Sequence, residues 1–196
     1  LRVNVDVDPK THAKISTGQR STKFGVSTAQ NEAADLYRRM AADPHIRPAG
    51  LAVHIGSQIR DLDPFERAYS ALLSFGTALR DEGLEVPVLD LGGGIGVDYQ
   101  DGTPTDFTAY GELVSRLFAG SGFRLGFEPG RSIVANNGVL LTRVIYVKDG
   151  DNKRFAIVDA AMNDLLRPTL YEAHHDIRPV GPEGAIEGPV SYTHLT

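Results

Sequence analysis

The sequence contains no cysteine among its 196 residues. This absence excludes a disulfide framework and a cysteine-ligated zinc site, and it is compatible with a reducing compartment. A basic excess is also lacking, because 20 Lys and Arg residues stand against 25 Asp and Glu residues, for a net charge of -5. That balance argues against a nucleic-acid partner. No apolar stretch approaches the roughly 20 residues that a membrane-spanning helix requires.

The residues that are present favour a folded protein of one or two domains, since 41% of them are hydrophobic and can build a core. The chain opens with the alternating stretch Leu1-Arg2-Val3-Asn4-Val5 and has no initiator Met. We therefore expect a segment of a longer protein, whose true N-terminus and any signal peptide lie outside it.

Three helices are predicted from apolar spacing and capping signals. The first lies near residues 28–42, after a capping-box pattern at Ser27-Thr28-Ala29-Gln30. The second begins at Asp63-Pro64 and ends at Gly83, and the third begins after Asp106 and ends before Gly120. Short, nearly continuous apolar runs between the helices are typical of buried parallel strands. These runs cover residues 1–5, 24–26, 51–55, 86–91 and 124–128.

The alternation of strands and helices predicts an α/β fold. Because about five strands are present and a closed eight-stranded barrel needs about 250 residues, we expect the C-terminal half of a TIM (β/α)8 barrel over residues 1–132. Beyond it, apolar runs at 140–148 and 154–159 flank a turn at 149–152 and predict a hairpin. No helical run is expected after the hairpin, so residues 133–190 are predicted to start a β-rich domain.

Chemically distinctive residues follow three of the predicted strands. They are His54-Ile55-Gly56-Ser57-Gln58, Gly92-Gly93-Gly94 and Glu128-Pro129-Gly130-Arg131. In a barrel the C-terminal ends of all strands lie on the face where active sites form. Three successive glycines also let backbone N–H groups approach an anion such as phosphate. Each motif has a structural alternative: a tight glycine turn, a packed histidine, and a salt bridge between Glu128 and Arg131.

A fourth candidate lies in the second domain, where Arg167 and Tyr171 could present polar groups to an anionic ligand. The alternative is a solvated loop. We interpret the adjoining His174 and His175 as surface residues, because nothing supplies them with a third ligand. No metal site is therefore predicted.

Taken in order, these motifs resemble those of the diaminopimelate decarboxylases. The residues that carry the resemblance are Lys23-Phe24-Gly25, His54-Ile55-Gly56-Ser57, Asp90-Leu91-Gly92-Gly93-Gly94, Glu128-Pro129-Gly130-Arg131, Met162-Asn163-Asp164-Leu165 and Arg167-Pro168-Thr169-Leu170-Tyr171. Members of this family are pyridoxal-phosphate lyases of the alanine-racemase type, with a TIM barrel and a C-terminal β-domain. They decarboxylate meso-diaminopimelate to L-lysine and CO2 in lysine biosynthesis.

The resemblance implies a role for each site residue. It implies that His54 stacks on the pyridine ring, that Glu128 pairs with the pyridine nitrogen, and that Arg131 faces the phosphate or a substrate carboxylate. It implies that Arg167 and Tyr171 bind a substrate carboxylate. The phosphate of pyridoxal 5'-phosphate would be held by Ser57, Gly92, Gly93, Gly94 and the backbone around Gly130.

The resemblance also implies a cytoplasmic homodimer that acts on a small molecule. It places the Schiff-base lysine upstream of Leu1 and the catalytic cysteine downstream, where residues 191–196 look like a non-native tail. No residue of this chain is then catalytic, and the chain alone is expected to be inactive. Two alternatives stay open. One is a related decarboxylase of the ornithine or arginine type, whose cationic substrates would favour an acidic residue at position 167, and the other is a non-catalytic homologue that binds cofactor or a partner.

Overall fold

The computed structural model describes residues 1–9, 18, 23–99, 105–151, 154–181 and 190–192. The chain divides into two compact units. One comprises Leu1–Val97 with Pro104–Asn136, and the other comprises Asp98–Thr103 with Asn137–Thr196.

The first unit contains five short strands that all pair in parallel. They are β1 (Val3–Asn4), β2 (Val26–Ser27), β3 (Gly50–Ala52), β4 (Val88–Asp90) and β5 (Arg124–Gly126). β1 pairs with β2, while β3, β4 and β5 form a sheet in that order. A bridge between Arg2 and Ala52 links β1 to β3. This arrangement confirms the predicted α/β character, because parallel strands need helical crossovers between them.

Four helices accompany these strands: α1 (Glu32–Ala42), α2 (Asp63–Asp81), α3 (Phe107–Phe118) and α4 (Arg131–Val134). The predictions of α2 and α3 are confirmed, and their local signals act as expected. Asp106 Oδ1 accepts the N–H of Ala109 at 2.8 Å at the start of α3. Pro64 lies in the first turn of α2, and Gly83 follows its end at φ 86°, a conformation that glycine adopts without strain.

The start of α1 differs from the prediction. Ser27 Oγ accepts the N–H of Ala29 at 3.1 Å, and a 3-10 turn follows over Ala29–Asn31. Asn31 then adopts a left-handed φ of 62°, which interrupts the helical path. α1 therefore begins at Glu32 instead of residue 28.

The core of the first unit lies where α2 packs against β3, β4 and α3. Tyr69 of α2 and Tyr110 of α3 are both buried, and their hydroxyl groups hydrogen-bond at 2.8 Å. This pairing satisfies two polar groups that would otherwise be costly to bury. The largest fully buried side chains are Tyr37, Leu51, Ile55, Ile59, Phe65, Tyr69, Leu72, Leu79, Leu89 and Leu91.

The strands are shorter than the apolar runs that predicted them, and β5 is less buried than expected. Arg124 is exposed, while Leu125 and Gly126 are half-buried. β5 is more exposed because, within the described residues, it is the last strand of its sheet and pairs only with β4. A strand at an edge has one flank without a neighbour.

The second unit contains the predicted hairpin. β6 (Val144–Asp149) pairs antiparallel with β7 (Arg154–Val158), and β8 (Val190–Tyr192) pairs in parallel with β7. Asn152 in the predicted turn lies outside the described residues, as do residues 193–196 of the predicted non-native tail.

The expectation that no helix follows the hairpin is wrong. Arg167–Tyr171 form a short helix, α5, with Pro168 in its first turn. A single helical turn is too short to show apolar periodicity, which explains why the sequence pattern missed it.

Two structural features are absent from the described residues. Among these residues, no helix is long and apolar enough to cross a membrane. In the same part of the chain, no group of three or more His, Cys, Asp or Glu side chains is arranged to hold a metal ion.

The Asp106 cap of α3 yields a stability prediction. Asp106→Ala removes the acceptor for the Ala109 N–H and should lower the free energy of unfolding by about 0.5–2 kcal/mol. Asp106→Asn retains a side-chain oxygen and should stay close to the parent protein. Urea unfolding of the three proteins measures the difference, and equal losses in both variants would show that the cap does not stabilise α3.

Candidate functional site

The three predicted motifs meet where β3, β4 and β5 end, at the C-terminal side of the sheet. β3, β4 and β5 are in register, with Ala52, Asp90 and Gly126 side by side at their C-terminal ends. Beyond them, the Gly93 N–H donates to Nδ1 of His54 at 3.2 Å. The Glu128 N–H donates to the Gly92 carbonyl at 2.8 Å. These bonds join His54 to Gly93 and Glu128 to Gly92.

The three glycines are required by the close approach of neighbouring backbones. A Cβ atom at Gly92 would lie 2.2 Å from the Val53 carbonyl oxygen, and one at Gly93 would lie 2.1 Å from that of Glu128. A Cβ atom at Gly94 would lie 2.1 Å from the Gly56 carbonyl oxygen. Real Cβ atoms do not approach so closely, so no other residue fits this loop without displacing its neighbours.

The hydrogen bonds of this loop limit which N–H groups can bind an anion. The Gly92 N–H donates to Asp90 Oδ1 at 2.8 Å, and the Gly93 N–H is held by His54. Among the described residues, the Gly94 N–H has no acceptor. Of the three glycines, only Gly94 therefore offers an unused backbone donor to a ligand.

His54 is half-buried, and its surroundings favour the neutral form of its ring. Burial lowers the pKa of its imidazole, and the nearby positive charge of Arg2 lowers it further, against smaller opposing effects of Glu128 and Asp90. Its Nδ1 accepts the Gly93 N–H and so carries no proton. A neutral ring held in one orientation at a strand end is suited to packing against a flat ligand.

Glu128 and Arg131 do not form the salt bridge that was their structural alternative. The Glu128 side chain is exposed, and within the described part of the chain its carboxylate makes no hydrogen bond or ion pair. Arg131, the first residue of α4, is half-buried and donates from Nη1 to Gln58 Oε1 at 3.2 Å. The carboxylate is thus available to a ligand, and the guanidinium is directed toward the loop after β3.

Ser57 and Gly130 complete the predicted set in the first unit. Ser57 is half-buried, and in the described structure its hydroxyl has no protein partner. Gly130 precedes α4, and a Cβ atom there would meet nothing within 4 Å. Both positions leave room for a ligand.

Asp90 and Gln58 also orient groups at these strand ends, although no role was predicted for them from the sequence. The carboxylate of Asp90 fixes the Gly92 N–H, and an aspartate just before a glycine turn is a recognisable signal for such a bond. Gln58 contacts Arg131, and it adopts a φ of 61°. No sequence signal marks that contact, since a glutamine in this conformation is uncommon.

Arg167 in the second unit is surrounded by aromatic rings. Its guanidinium lies 5.4 Å from the ring centroid of Tyr99 and 5.7 Å from that of Tyr171. Its Nε donates to His175 Nε2 at 3.4 Å, and the rings of Tyr99 and His175 lie 5.4 Å apart. No carboxylate of the described residues pairs with Arg167. This half-buried cation is therefore suited to an anionic ligand.

The second unit also changes two expectations. His175 was predicted at the surface, but it is half-buried beside Arg167 and Tyr99, because those side chains cover it. His174 is exposed as predicted, and its Nε2 lies 3.1 Å from Asp176 Oδ1. Tyr99 was not singled out from the sequence, since it lies far from Arg167 along the chain.

Comparison with known proteins adds a family match and close relatives. Residues 1–135 match the family described as pyridoxal-dependent decarboxylase, pyridoxal binding domain. The chain is 50% identical to the diaminopimelate decarboxylase of Zymomonas mobilis, over 98% of this chain and 47% of that protein. It is 47% identical to the diaminopimelate decarboxylase of Neisseria meningitidis serogroup A, over 98% of this chain and 48% of that protein. The chain thus spans about half the length of these relatives.

A solved structure shows the same similarity. The crystal structure of diaminopimelate decarboxylase from Helicobacter pylori, complexed with L-lysine, superposes with a TM-score of 0.90 at 39% identity. The match covers 97% of this chain and 47% of that one.

The glycine packing yields a matched pair of predictions. Gly93→Ala forces a methyl group against the Glu128 carbonyl and should lower the free energy of unfolding by roughly 1–3 kcal/mol. Gly111→Ala lies within α3, where a Cβ atom meets nothing within 4 Å, and should raise it by roughly 0.5–1 kcal/mol. Urea unfolding compares the two variants, and a Gly93→Ala protein as stable as the parent would contradict the packing.

Proposed function

The chain belongs to the family of pyridoxal-dependent decarboxylases, whose pyridoxal-binding domain it matches, and from that membership we propose that the complete protein converts meso-diaminopimelate to L-lysine and CO2. The cofactor is pyridoxal 5'-phosphate. The observation that carries the proposal is the contact of His54, Gly93 and the Glu128 backbone at one edge of a parallel sheet.

The residues at this edge fit the cofactor group by group. The neutral ring of His54 suits stacking on a pyridine ring. The carboxylate of Glu128 makes no other bond among the described residues and suits a protonated ring nitrogen. The Gly94 N–H and the Ser57 hydroxyl, which have no protein partner in the described structure, suit a phosphate. Gly92 and Gly93 allow the close packing of the loop beside the cofactor, and the backbone around Gly130 leaves room for the phosphate.

The chemistry follows from these placements. When bound, pyridoxal phosphate would act as an electron sink for the electron pair that stays on the substrate when CO2 departs. Glu128 holds the proton on the ring nitrogen, which a carboxylate does by charge and hydrogen bond together. His54 orients the ring, and Arg131 binds the phosphate or a substrate carboxylate. We propose no Schiff-base residue in this chain, and we expect that lysine and the family's cysteine in the remaining half of the protein.

Arg167 and Tyr171 supply the preference for a substrate with an anionic far end. A half-buried guanidinium without a carboxylate partner in the described residues would repel the cationic end of ornithine or arginine and attract a carboxylate. Relatives named diaminopimelate decarboxylase, one of them at 50% identity, support this substrate over the others.

Several finer predictions accompany this proposal. Residues 1–132 are proposed as the C-terminal half of a TIM barrel, and residues 133–190 as the start of a β-rich domain. The homodimer, the cytoplasmic location and the non-native tail at residues 191–196 stay predictions.

The proposal is tested by turnover of the full-length gene product with pyridoxal 5'-phosphate. We expect release of CO2 and L-lysine from meso-diaminopimelate, with kcat/KM at least about a hundredfold above that for ornithine or arginine, because an unmatched charge is strongly rejected. Comparable rates with ornithine would favour the related decarboxylases. Cofactor binding without turnover of any of the three would favour a non-catalytic homologue.

Arg167 yields a specific prediction in the same assay. Arg167→Ala should raise KM for meso-diaminopimelate about ten- to a hundredfold, as expected for a charged hydrogen bond worth about 1.5–3 kcal/mol. Pyridoxal phosphate affinity should change far less. Arg178→Ala is the matched control, because Arg178 is 82% exposed and pairs with Asp176 at 2.9 Å. Equal losses of substrate and cofactor affinity would contradict the assigned role.

A further inference from the structure

Gln58 connects the loops that follow three successive strands. It lies after β3, and its side-chain amide makes two bonds with the backbone of Val97, which follows β4. Nε2 donates to the Val97 carbonyl at 2.6 Å, and Oε1 accepts the Val97 N–H at 3.2 Å. The same Oε1 accepts from Nη1 of Arg131, after β5, at 3.2 Å.

The two bonds with Val97 determine how the amide is turned. The Val97 carbonyl requires a donor and its N–H requires an acceptor, so Nε2 and Oε1 cannot exchange places. Oε1 is therefore held toward Arg131. The left-handed backbone of Gln58, with φ 61°, keeps the side chain beside both partners at a conformational cost.

The group that contacts Arg131 is a neutral amide and not a carboxylate. Long arginine side chains lose considerable rotamer freedom when they are held in one position. A carboxylate in place of the amide would hold Arg131 but would also offset its charge. The neutral amide of Gln58 orients the guanidinium without offsetting its charge.

We propose that Gln58 is a positioning residue, which holds the Arg131 guanidinium at the strand ends so that it is ready to bind the anionic group of the cofactor or substrate. The inference rests on the proposed anion-binding role of Arg131. It assigns Gln58 an effect on ligand affinity that acts through Arg131 and not through the stability of the loop after β4.

A double-mutant cycle on the full-length gene product tests this coupling. Gln58→Leu, Arg131→Leu and the double variant are compared for Kd of pyridoxal 5'-phosphate and KM of meso-diaminopimelate. With Arg131 present, Gln58→Leu should weaken whichever affinity Arg131→Leu weakens, by about three- to tenfold. In the Arg131→Leu background the same change should alter that affinity less than about twofold, because the two residues act as one unit.

Thr105→Val is the matched control for loop stability. Thr105 Oγ1 donates to the Gly96 carbonyl, so its loss loosens the loop next to Val97 while leaving the Gln58–Arg131 bond in place. Its effect on affinity should be the same in both Arg131 backgrounds. If Gln58→Leu does not fold, Gln58→Asn replaces it, because the shorter amide is polar but cannot span Val97 and Arg131 together.

The outcomes distinguish a positioning role of Gln58 from a purely structural one. A Gln58 effect that disappears in the Arg131→Leu background supports the positioning role. An effect of equal size in both backgrounds, like that of Thr105→Val, or no effect at all, would overturn it and leave Gln58 as a structural tie to Val97. If Arg131→Leu changes neither affinity while the parent protein turns over substrate, the anion-binding role of Arg131 fails and the decarboxylase assignment stands.

Discussion

The candidate site depends on how closely the loop after β4 packs between its two neighbours. The backbone at Gly92 and Gly94 packs against the loop after β3, and that at Gly93 packs against Glu128. Side chains would separate these backbones, and the hydrogen bonds from Gly93 to His54 and from Glu128 to Gly92 would then be lost. The glycines thus bring three sequence motifs together, and the loop positions the groups around it that we propose to bind the ligand.

The charged and titratable groups at these strand ends suit the ligand that we propose for them. Burial favours the neutral form of His54 by lowering its pKa, and the Glu128 carboxylate has no ionic partner in the described residues. In the second unit, the rings around Arg167 stabilise a cation without neutralising it. A half-buried cation such as Arg167, without a carboxylate partner among the described residues, costs stability, and functional sites are where proteins retain such groups.

The sequence predicted those parts of the fold that local bonds specify. Asp106 and Pro64 mark helix starts through their own hydrogen bonding and ring geometry, so α2 and α3 were expected nearly as they are. Asn31 takes a left-handed conformation that its type permits but does not require, and the start of α1 was placed too early. Contacts between residues distant in the chain, such as Tyr99 with Arg167, leave no local pattern. Of the candidate site, the motifs were recognisable, but the bonds that orient them were not.

We propose that the ends of β3, β4 and β5 form the binding site for pyridoxal 5'-phosphate. A crystal structure of the full-length protein with this cofactor tests it most directly. We expect the phosphate at the Gly94 N–H and the Ser57 hydroxyl, the ring against His54, and the Glu128 carboxylate within hydrogen-bond distance of the ring nitrogen. A cofactor bound elsewhere, or a ring nitrogen facing away from Glu128, would contradict it.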